Sequence, residues 1–183
     1  NYEKVLTYEA EFIQKSYIKM MDKTQDVKGT VIIKKPGKMI WSYGAPDTQI
    51  LISDGSTLWL YVPDEEQATK VPIESIYSSN TPALFLAGKG KLMQTFNVES
   101  VNLDKDPIRI TLIPKADDQA LTRLQLFADK KNYQITGSTV YDKLGNKTEI
   151  RFSNIKTNRE IPEKTFQFQV PANVEVLDYT KTH

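Results

Sequence analysis

The chain has 183 residues, of which 39% are hydrophobic and 26% are charged; this is enough for one full hydrophobic core, and nothing demands a second domain. Its 24 basic and 23 acidic residues are scattered along the sequence, which argues against nucleic acid or an anionic membrane surface as a partner. The absence of cysteine excludes disulfides, thiolate metal sites and cysteine nucleophiles.

The first half of the chain predicts a meander of antiparallel strands. From Tyr8 to Ile18 the hydrophobic period is two, and Gly29 is expected to open the second strand. Turns are expected at Pro36-Gly37 and at Ser53-Asp54-Gly55. The strands predicted after the first are TVIIKK, KMIWSY, QILIS and TLWLYV.

After the fifth strand the alternation ends. The segment DEEQATKVPIESIYSSN is polar and is interrupted by Pro72, so we expect a loop or an irregular helix that crosses a sheet edge. TPALFLAGKG is then predicted to form a short helix, with Thr81 as its N-cap and Pro82 at its first position. Because this helix is apolar all round, it should lie across an apolar hollow.

The second half of the chain returns to strands of alternating polarity. A helical turn is expected from Ile161 to Phe166, and a last extended segment is interrupted at Pro171. About ten strands in mostly nearest-neighbour order favour a mainly β fold with short helices, built on one large, curled antiparallel sheet within a single domain over residues 1–183. The strands predicted in this half are FNVESVN, IRITLIP, LTRLQLFAD, YQITGSTVYD and NKTEIRFSNI.

The sequence does not contain the residues of a recognisable active site. Its one histidine, His183, is the final residue, which removes histidine-based triads and most zinc and iron sites and is interpreted as a tag remnant or a frayed tail. Acidic pairs fall in predicted turns, where solvated charge explains them. We therefore predict no catalytic residue, no metal site and no cofactor. The acidic pairs are Glu65-Glu66, Asp104/Asp106 and Asp117-Asp118.

Apolar side chains are the remaining candidates for function. Trp41, Trp59, Tyr43, Tyr61 and Met39 recur at every second residue of neighbouring predicted strands. An ordinary hydrophobic core explains this spacing by itself. A large curled sheet also encloses more volume than its own side chains fill, which leaves room for an apolar ligand. Periodicity does not decide between the two, and the faces of Trp59 and Tyr61 depend on strand register alone.

Two motifs in the first half of the chain are specific enough to indicate a family as well as a pattern of strands. They are K-P-G-x-M-x-W from Lys35 to Trp41 and S-D-G-x-x-L-W-x-Y from Ser53 to Tyr61. Weaker motifs extend the pattern from Phe12 to Val176, and in order and spacing the set resembles the periplasmic outer-membrane lipoprotein carrier family LolA. The weaker motifs are Phe12-x-Gln14, Gly29, Pro46, Gln67, Thr81-Pro82-x-x-x-Leu86, Pro114-Lys115, Asp142-x-x-Gly145-Asn146-x-Thr148 and Phe166-x-Phe168-x-x-Pro171.

The resemblance implies an incomplete antiparallel β-barrel of about eleven strands covered by a lid of short helices. The hollow between barrel and lid would receive the acyl chains of lipoproteins, so the chain would be a monomeric, non-enzymatic chaperone of the periplasm. Its partners would be acylated lipoproteins, an inner-membrane lipoprotein-releasing ABC transporter of the LolCDE type and, where one exists, the outer-membrane acceptor LolB. Because the chain starts in mid-pattern at Asn1, we expect a mature or trimmed form that lacks its leader.

The resemblance also implies roles for single residues. Lys35 stands where the family commonly has an arginine that holds the lid shut, and a lysine can donate to lid carbonyls but lacks the planar fork. Met39 replaces an aromatic residue and, being flexible and apolar, is expected to line the cavity. The residues expected to contact acyl chains are Phe12, Met39, Trp41, Leu84, Phe85 and Leu86.

Two other functions remain open from the sequence. A LolA-like domain related to the anti-sigma regulator RseB would sense lipid or mislocalised lipoproteins, although such sensors usually carry a second domain. A lipid-modifying hydrolase would need a carboxylate-only mechanism, because no histidine or cysteine stands in a usable position. Turnover of phospholipid would identify the enzyme, whereas a soluble complex with an acylated lipoprotein would identify the carrier.

Overall fold

The computed structural model describes residues 4–73, 95–115 and 121–180. The strands in these ranges all belong to one sheet. Across the same ranges, no helix is both long enough and apolar enough to cross a membrane. Single helical turns of the 3-10 type occur at Lys19–Met21, Pro63–Glu65 and Glu163–Phe166. The strands are β1 (Thr7–Ile18), β2 (Lys23–Lys34), β3 (Lys38–Tyr43), β4 (Gln49–Asp54), β5 (Thr57–Val62), β6 (Gln67–Pro72), β7 (Phe96–Asn102), β8 (Ile108–Pro114), β9 (Arg123–Ala128), β10 (Ile135–Tyr141), β11 (Lys147–Thr157) and β12 (Glu175–Asp178).

The sheet consists of two meanders that meet at its centre. The first meander is β1–β6 and the second is β7–β11, and they are joined by antiparallel pairing of β1 with β11. At the edges, β7 and β12 do not pair with each other, so the barrel is incomplete. All neighbours are antiparallel except β12, which lies parallel to β6.

This architecture confirms the predicted fold class. The sheet has twelve strands where the resemblance implied about eleven. The additional strand is consistent with the same open antiparallel barrel, because it extends one edge without closing the sheet. The predicted TPALFLAG helix, which includes Leu84, Phe85 and Leu86, lies outside the described residues.

Strand β6 lies where the sequence predicted a loop, and that prediction was wrong. Its residues pair with β5 on one side and with β12 on the other. Ala68 in this strand is completely buried. Its polar composition and Pro72 concealed it, because they do not give the apolar alternation of a strand. One of its two partners, β12, also follows much later in the chain and is invisible to a local pattern.

One face of the sheet, which we call the inner face, carries the main hydrophobic cluster. Leu58 and Leu60 of β5 belong to the inner face because their pairing partners continue the row of Met39 and Trp41 on β3. The cluster contains residues from both meanders, so the two halves of the chain share one core. Its larger members include Tyr8, Phe12, Ile33, Met39, Trp41, Tyr43, Leu58, Phe96, Leu112, Leu124, Leu126, Ile150 and Phe152.

The opposite, outer face of the first meander is covered by residues 159–178, which we call the C-terminal segment. Its helical turn packs against β3 and β4, and Phe166 is almost completely buried. The ring of Phe168 lies 5.2 Å from the ring of Trp59 and 5.5 Å from that of Tyr61. The register therefore places Trp59 and Tyr61 on the outer face, which the sequence did not decide.

A double ion pair fastens the C-terminal segment to the turn between β2 and β3. The carboxylate of Glu163 pairs with Lys34 at 2.7 Å and also with Lys38. Lys34 Nζ donates a second bond, of 2.7 Å, to the carbonyl of Ile161. Hydrogen bonds from the two lysines lower the pKa of Glu163 to about 2. The carboxylate is therefore ionised throughout the neutral and mildly acidic range.

Candidate functional site

An aromatic cluster occupies the centre of the inner face, where β3, β1 and β11 bring their side chains together. The Phe12 ring lies 4.9 Å from Trp41 and 5.3 Å from Tyr43, and Trp41 lies 6.1 Å from Phe152. Trp41 and Phe12 are almost fully buried. Rings at these separations contribute packing energy beyond the area they bury. The structure therefore brings together two of the residues predicted to contact acyl chains.

Gly29 makes this cluster possible. It lies in the middle of β2, opposite Phe12 on β1 and Tyr43 on β3, so the prediction that it opens the strand was wrong. A Cβ atom at this position would stand 2.5 Å from Phe12 Cζ and 2.0 Å from the carbonyl oxygen of Ser42. The missing side chain thus lets the Phe12 ring lie across the backbone of β2.

Met39, the third predicted contact residue that the structure describes, lies one row away on the same face. It is almost completely buried and pairs with Ile33 on β2 and Ser53 on β4. The buried Ser53 hydroxyl donates to the carbonyl of Gly37 at 2.9 Å and accepts from the amide of Gly55 at 3.1 Å. This polar group inside the core is therefore satisfied, and it ties two turns of the first meander to the wall of the site.

Polar tips of the aromatic side chains are enclosed in the same region. Burial raises the pKa of the Tyr8 phenol and of the Tyr43 phenol, and the Trp41 indole opposes part of the rise for Tyr43. The Tyr8 hydroxyl donates to the carbonyl of Ile135 at 3.0 Å. Both phenols stay neutral at physiological pH, so the wall formed by the described residues carries hydroxyl groups but no phenolate.

A cavity of about 250 Å³ opens next to Tyr8 and Ile33, the residues that continue the row of Met39 across β2 and β1. Lys35 lies at its rim, immediately after the Lys34 that holds the C-terminal segment on the outer face. The backbone amide of Lys35 donates to the carbonyl of Leu6 at 2.8 Å. The cavity is lined by Lys4, Val5, Leu6, Thr7, Tyr8, Ile33, Lys35, Asn132, Tyr133, Gln134, Ile135, Thr157 and Asn158.

The predicted residues thus fall into two neighbouring places within the described part of the chain. Phe12, Met39 and Trp41 lie in the buried inner face, whereas Lys35 borders the cavity. Sequence reasoning missed Tyr8 and the loop residues that complete the cavity wall. The period of two through Phe12 contained the signal for Tyr8, because residues four apart on a strand share a face.

The described ranges contain no group of three or more histidine, cysteine, aspartate or glutamate side chains arranged to hold a metal ion. The site is instead built from apolar walls, phenolic and serine hydroxyls, and two lysines, Lys4 and Lys35, in the cavity lining. Such a lining suits an apolar ligand whose orientation is set by a few polar groups.

Comparison with known families gives a match over most of the chain. The sequence model of the family described as "Outer membrane lipoprotein carrier protein LolA" matches residues 3–169. A protein of Hahella chejuensis named outer-membrane lipoprotein carrier protein is 35% identical over 176 residues, covering 94% of this chain and 82% of the relative. A protein of the same name from Chromohalobacter salexigens is 34% identical over 176 residues, covering 96% of this chain and 82% of the relative.

Solved structures agree at the level of the fold. A LolA superfamily protein from Nitrosomonas europaea superposes with a TM-score of 0.50, covering 90% of this chain and 91% of that protein. Because the sequence identity is 11%, this likeness supports the fold alone.

Proposed function

The chain belongs to the LolA family of outer-membrane lipoprotein carrier proteins, and on that premise we propose that it carries lipoproteins across the periplasm by enclosing their acyl chains. Its cargo is acylated lipoproteins. An inner-membrane ABC transporter of the LolCDE type releases the cargo to it, and an outer-membrane acceptor such as LolB, or the membrane itself, receives the cargo.

The observation that carries this proposal is the concentration of large apolar side chains on one face of an open sheet. Phe12, Met39 and Trp41 form a continuous wall there, and a cavity begins at the end of the neighbouring row of side chains. In our proposal these three side chains are core in the empty carrier and contact surface in the loaded one.

The energy of hydration explains why acyl chains need a carrier. A C16 chain exposes about fifteen methylenes, and at roughly 0.8 kcal/mol each their exposure to water is unfavourable by about 12 kcal/mol. The same free energy also makes release difficult, because a carrier that shields the whole acyl chain from water would hold it too tightly. A cavity that adapts to its cargo, rather than one that matches it perfectly, keeps the affinity low enough for transfer.

The size of the described cavity supports an adaptable site. At about 250 Å³ it is smaller than the ~300–1,000 Å³ typical of small-molecule pockets. Loading with long acyl chains therefore requires side chains of the inner face to move apart. Met39 suits this role because an unbranched thioether repacks easily.

The lid belongs to the same proposal. Leu84, Phe85 and Leu86 cover the acyl chains from a short helix, and Lys35 at the cavity rim donates hydrogen bonds that keep the lid closed. Because lysine lacks the planar fork of arginine, the closed state is held less firmly than with an arginine at this position.

We also propose that residues 1–183 form a single carrier domain that catalyses no reaction. The placement of all described strands in one sheet supports the single domain. The sequence supports the proposal that the domain catalyses no reaction, since it contains no cysteine and its one histidine is residue 183, which leaves no imidazole-activated nucleophile.

The two tryptophans allow a direct test, because Trp41 lies on the inner face and Trp59 on the outer face. Trp59→Phe leaves Trp41 as the sole indole, and Trp41→Phe leaves Trp59. Each variant is mixed with a lipoprotein whose acyl chains carry bromine, which quenches indole fluorescence at contact. We expect strong quenching in the Trp59→Phe protein and little in the Trp41→Phe protein. Equal quenching of both, or of neither at any cargo ratio, would refute inner-face binding.

The lid is tested separately with Leu84→Glu. A buried charge against the acyl chains should weaken cargo binding while leaving the unfolding midpoint in urea unchanged. Leu144→Glu is the matched control, because Leu144 is 73% exposed in the turn between β10 and β11. Equal cargo affinity in the two variants would show that the predicted helix does not touch the cargo.

A further inference from the structure

The outer face carries a row of side chains that crosses the seam between the two meanders, away from β3 and β4, where the helical turn of the C-terminal segment packs. Registers across neighbouring strands align these residues in one line from β2 to β8. It contains three cations, separated from one another by apolar residues or glycine. In order, the row is Lys28, Ile13, Arg151, Gly137, Phe127 and Arg109.

Within this row, two arginines converge on one aromatic ring. The guanidinium carbon of Arg151 lies 3.9 Å from the centre of the Phe127 ring, and that of Arg109 lies 5.8 Å from it. Phe127 is only 5% exposed, so the ring is a fixed platform for both guanidinium groups. Stacking of this kind fixes the guanidinium plane and leaves its N–H edges available.

Gly137 allows Arg151 to reach the ring. Arg151 is on β11 and Phe127 is on β9, with Gly137 of β10 between them. A Cβ atom at Gly137 would stand 3.1 Å from Arg151 Cδ and 2.5 Å from the carbonyl oxygen of Ile150. The arginine therefore crosses a strand at the one position in the row that has no side chain.

Beside the ring lies an open recess of about 420 Å³, lined by Lys105, Arg109, Arg151 and the single carboxylate Asp106 together with Thr136 and apolar residues. Arg151 Nε donates to Glu149 at 3.0 Å, and Glu149 also pairs with Lys147 at 3.1 Å. Among the described residues, no carboxylate lies within ion-pair distance of Arg109 or Lys105. The recess thus has an excess of positive charge, with the Arg109 guanidinium without a carboxylate partner among the described residues and the Arg151 Nε engaged by Glu149.

We propose that this recess is a docking site for an acidic segment of a partner protein, whose carboxylates bind Arg109 and Arg151 on either side of the Phe127 ring. Both guanidinium groups lie close to the same ring, and carboxylates two residues apart in an extended segment are separated by roughly 7 Å, so one segment can bind both. Guanidinium and carboxylate groups also match in geometry, forming paired N–H···O bonds.

The observations favour a protein segment over an anionic membrane. Binding to a lipid surface needs exposed apolar side chains that enter it and a surplus of mobile cations. Ile13 is 42% exposed elsewhere in the row, but it does not line the recess, where the Phe127 ring is buried. Asp106 and Glu149 stand among the cations, and the net formal charge of the chain is only +1. The separate carboxylates of a peptide can bind the cations and avoid Asp106 and Glu149, whereas a uniformly anionic surface would be repelled by these two acidic side chains.

Titration of the full chain with an acetylated, amidated hexaglutamate peptide tests the proposal, with hexaglutamine as the neutral control. We expect saturable changes in the side-chain Nε–H resonances of Arg109 and Arg151 with hexaglutamate only. Arg109→Gln combined with Arg151→Gln should weaken binding by roughly tenfold or more. Arg109→Gln alone should also weaken binding, and Arg123→Gln is its matched control, because it likewise removes one charge from the same face, at a residue paired with Glu99 at 3.8 Å, and should leave binding unchanged.

Two further variants separate geometry from charge. Phe127→Leu keeps the site apolar but removes the stacking surface, and should weaken hexaglutamate binding several-fold. Replacing both arginines by lysine keeps the charge but removes the fork, and should weaken binding nearly as much as the glutamine pair. Urea unfolding and the brominated-cargo assay check that these proteins remain folded and still load cargo, so failure at this recess is distinguishable from failure of the carrier function.

The proposal would be overturned by three results. In the first, the variant with both arginines replaced by lysine binds hexaglutamate as tightly as the original chain. In the second, Arg123→Gln loses as much hexaglutamate affinity as the arginine variants. In the third, the chain does not bind hexaglutamate but binds phosphatidylglycerol vesicles or inorganic phosphate in a way that depends on the two arginines. The first two would indicate non-specific attraction, and the third would indicate a lipid or simple-anion site.

Discussion

At the scale of single residues, the packing of Gly29 under Phe12 decides whether the aromatic cluster can form. A side chain at this position meets backbone on one side and a buried ring on the other. We expect Gly29→Ala to lower the free energy of unfolding by about 1–3 kcal/mol, as overpacking of a well-filled core does. Urea denaturation followed by near-ultraviolet circular dichroism, which reports the aromatic cluster, measures this change.

Gly44→Ala provides the comparison for Gly29→Ala. A Cβ atom at Gly44 would meet one atom within 4 Å, the carbonyl oxygen of Lys28 at 3.2 Å, which requires a shift of only a few tenths of an ångström. Its effect on the unfolding midpoint should be clearly smaller. If the two substitutions had equal effects, the clash with Phe12 would not be the cause.

At the same scale, the two lysines that pair with Glu163, Lys34 and Lys38, make the stability of the fold depend on pH. The Glu163 pKa of about 2 in the folded chain lies below the ordinary value of 4.5, so ionised Glu163 stabilises the fold. The contribution is complete above about pH 5, declines as the pH falls from 4.5 toward 2, and is absent below about 2. The difference in unfolding free energy between the original chain and Glu163→Gln should follow this course.

Glu160→Gln is the control for the pH dependence. It removes the same charge three positions earlier in the C-terminal segment, at an exposed side chain without an ion pair in the described structure. Its difference from the original chain should stay small at every pH. A pH-independent difference for Glu163→Gln would mean that the lysines do not stabilise the carboxylate.

At the scale of elements, the C-terminal segment packs over the outer face of the first meander. Phe166 is 1% exposed and anchors the helical turn against β3 and β4. We expect Phe166→Ala to destabilise the chain by about 3–5 kcal/mol, the usual result of truncating a buried phenylalanine. Phe168→Ala should have a smaller effect, because that ring is half-buried over Trp59 and Tyr61.

Chemical denaturation distinguishes the two phenylalanines. Tryptophan emission adds a second readout, because Phe168→Ala exposes Trp59 to water and should shift its emission to longer wavelength. A loss below about 1 kcal/mol in Phe166→Ala would mean that the segment rests on the sheet without stabilising it.

Most strands of the first meander could be predicted from the sequence because their signals are local. Pro36-Gly37 and Asp54-Gly55 mark turns between runs of period two, and the structure has hairpins there. By contrast, β6 has a polar composition and lies between β5, its hairpin neighbour, and β12, a partner distant in sequence that local propensity cannot show. Gly29 looked like a strand boundary because glycine usually breaks a pattern, and only the close approach of the Ser42 carbonyl and the Phe12 ring explains it.

The candidate site was predictable to a similar extent. The period of two and the family motifs pointed to Phe12, Met39 and Trp41, which the structure places on one face. The faces of Trp59 and Tyr61 depended on a register that no single strand reveals. Arg109, Phe127 and Arg151 are widely separated in sequence and meet only because β8, β9, β10 and β11 are neighbours in the sheet.

At the scale of the whole molecule, the two meanders meet along β1 and β11. Pairing of β1 with β2 closes a short turn, whereas contacts across the β1–β11 seam join residues far apart in the chain, such as Glu11 and Asn154, which are 143 positions apart. Closing the longer loop costs more chain entropy. In pulsed hydrogen exchange during refolding, we expect the β1 amides bonded to β2 to be protected before those bonded to β11.

Both sets of amides belong to the same strand, so each molecule contains its own control. Simultaneous protection of the two sets would show that the meanders form together instead of joining after local pairing.

The central position of β1 also bears on how the protein is made. A ribosome adds roughly 5–20 residues per second, so the 143 positions from Glu11 to Asn154 take about 7–30 s to appear. During that interval the strand that carries Phe12 can pair on one side only. The nascent chain therefore exposes an apolar strand edge for far longer than a hairpin needs to form, which is a period when binding by a general folding chaperone would prevent association with other chains.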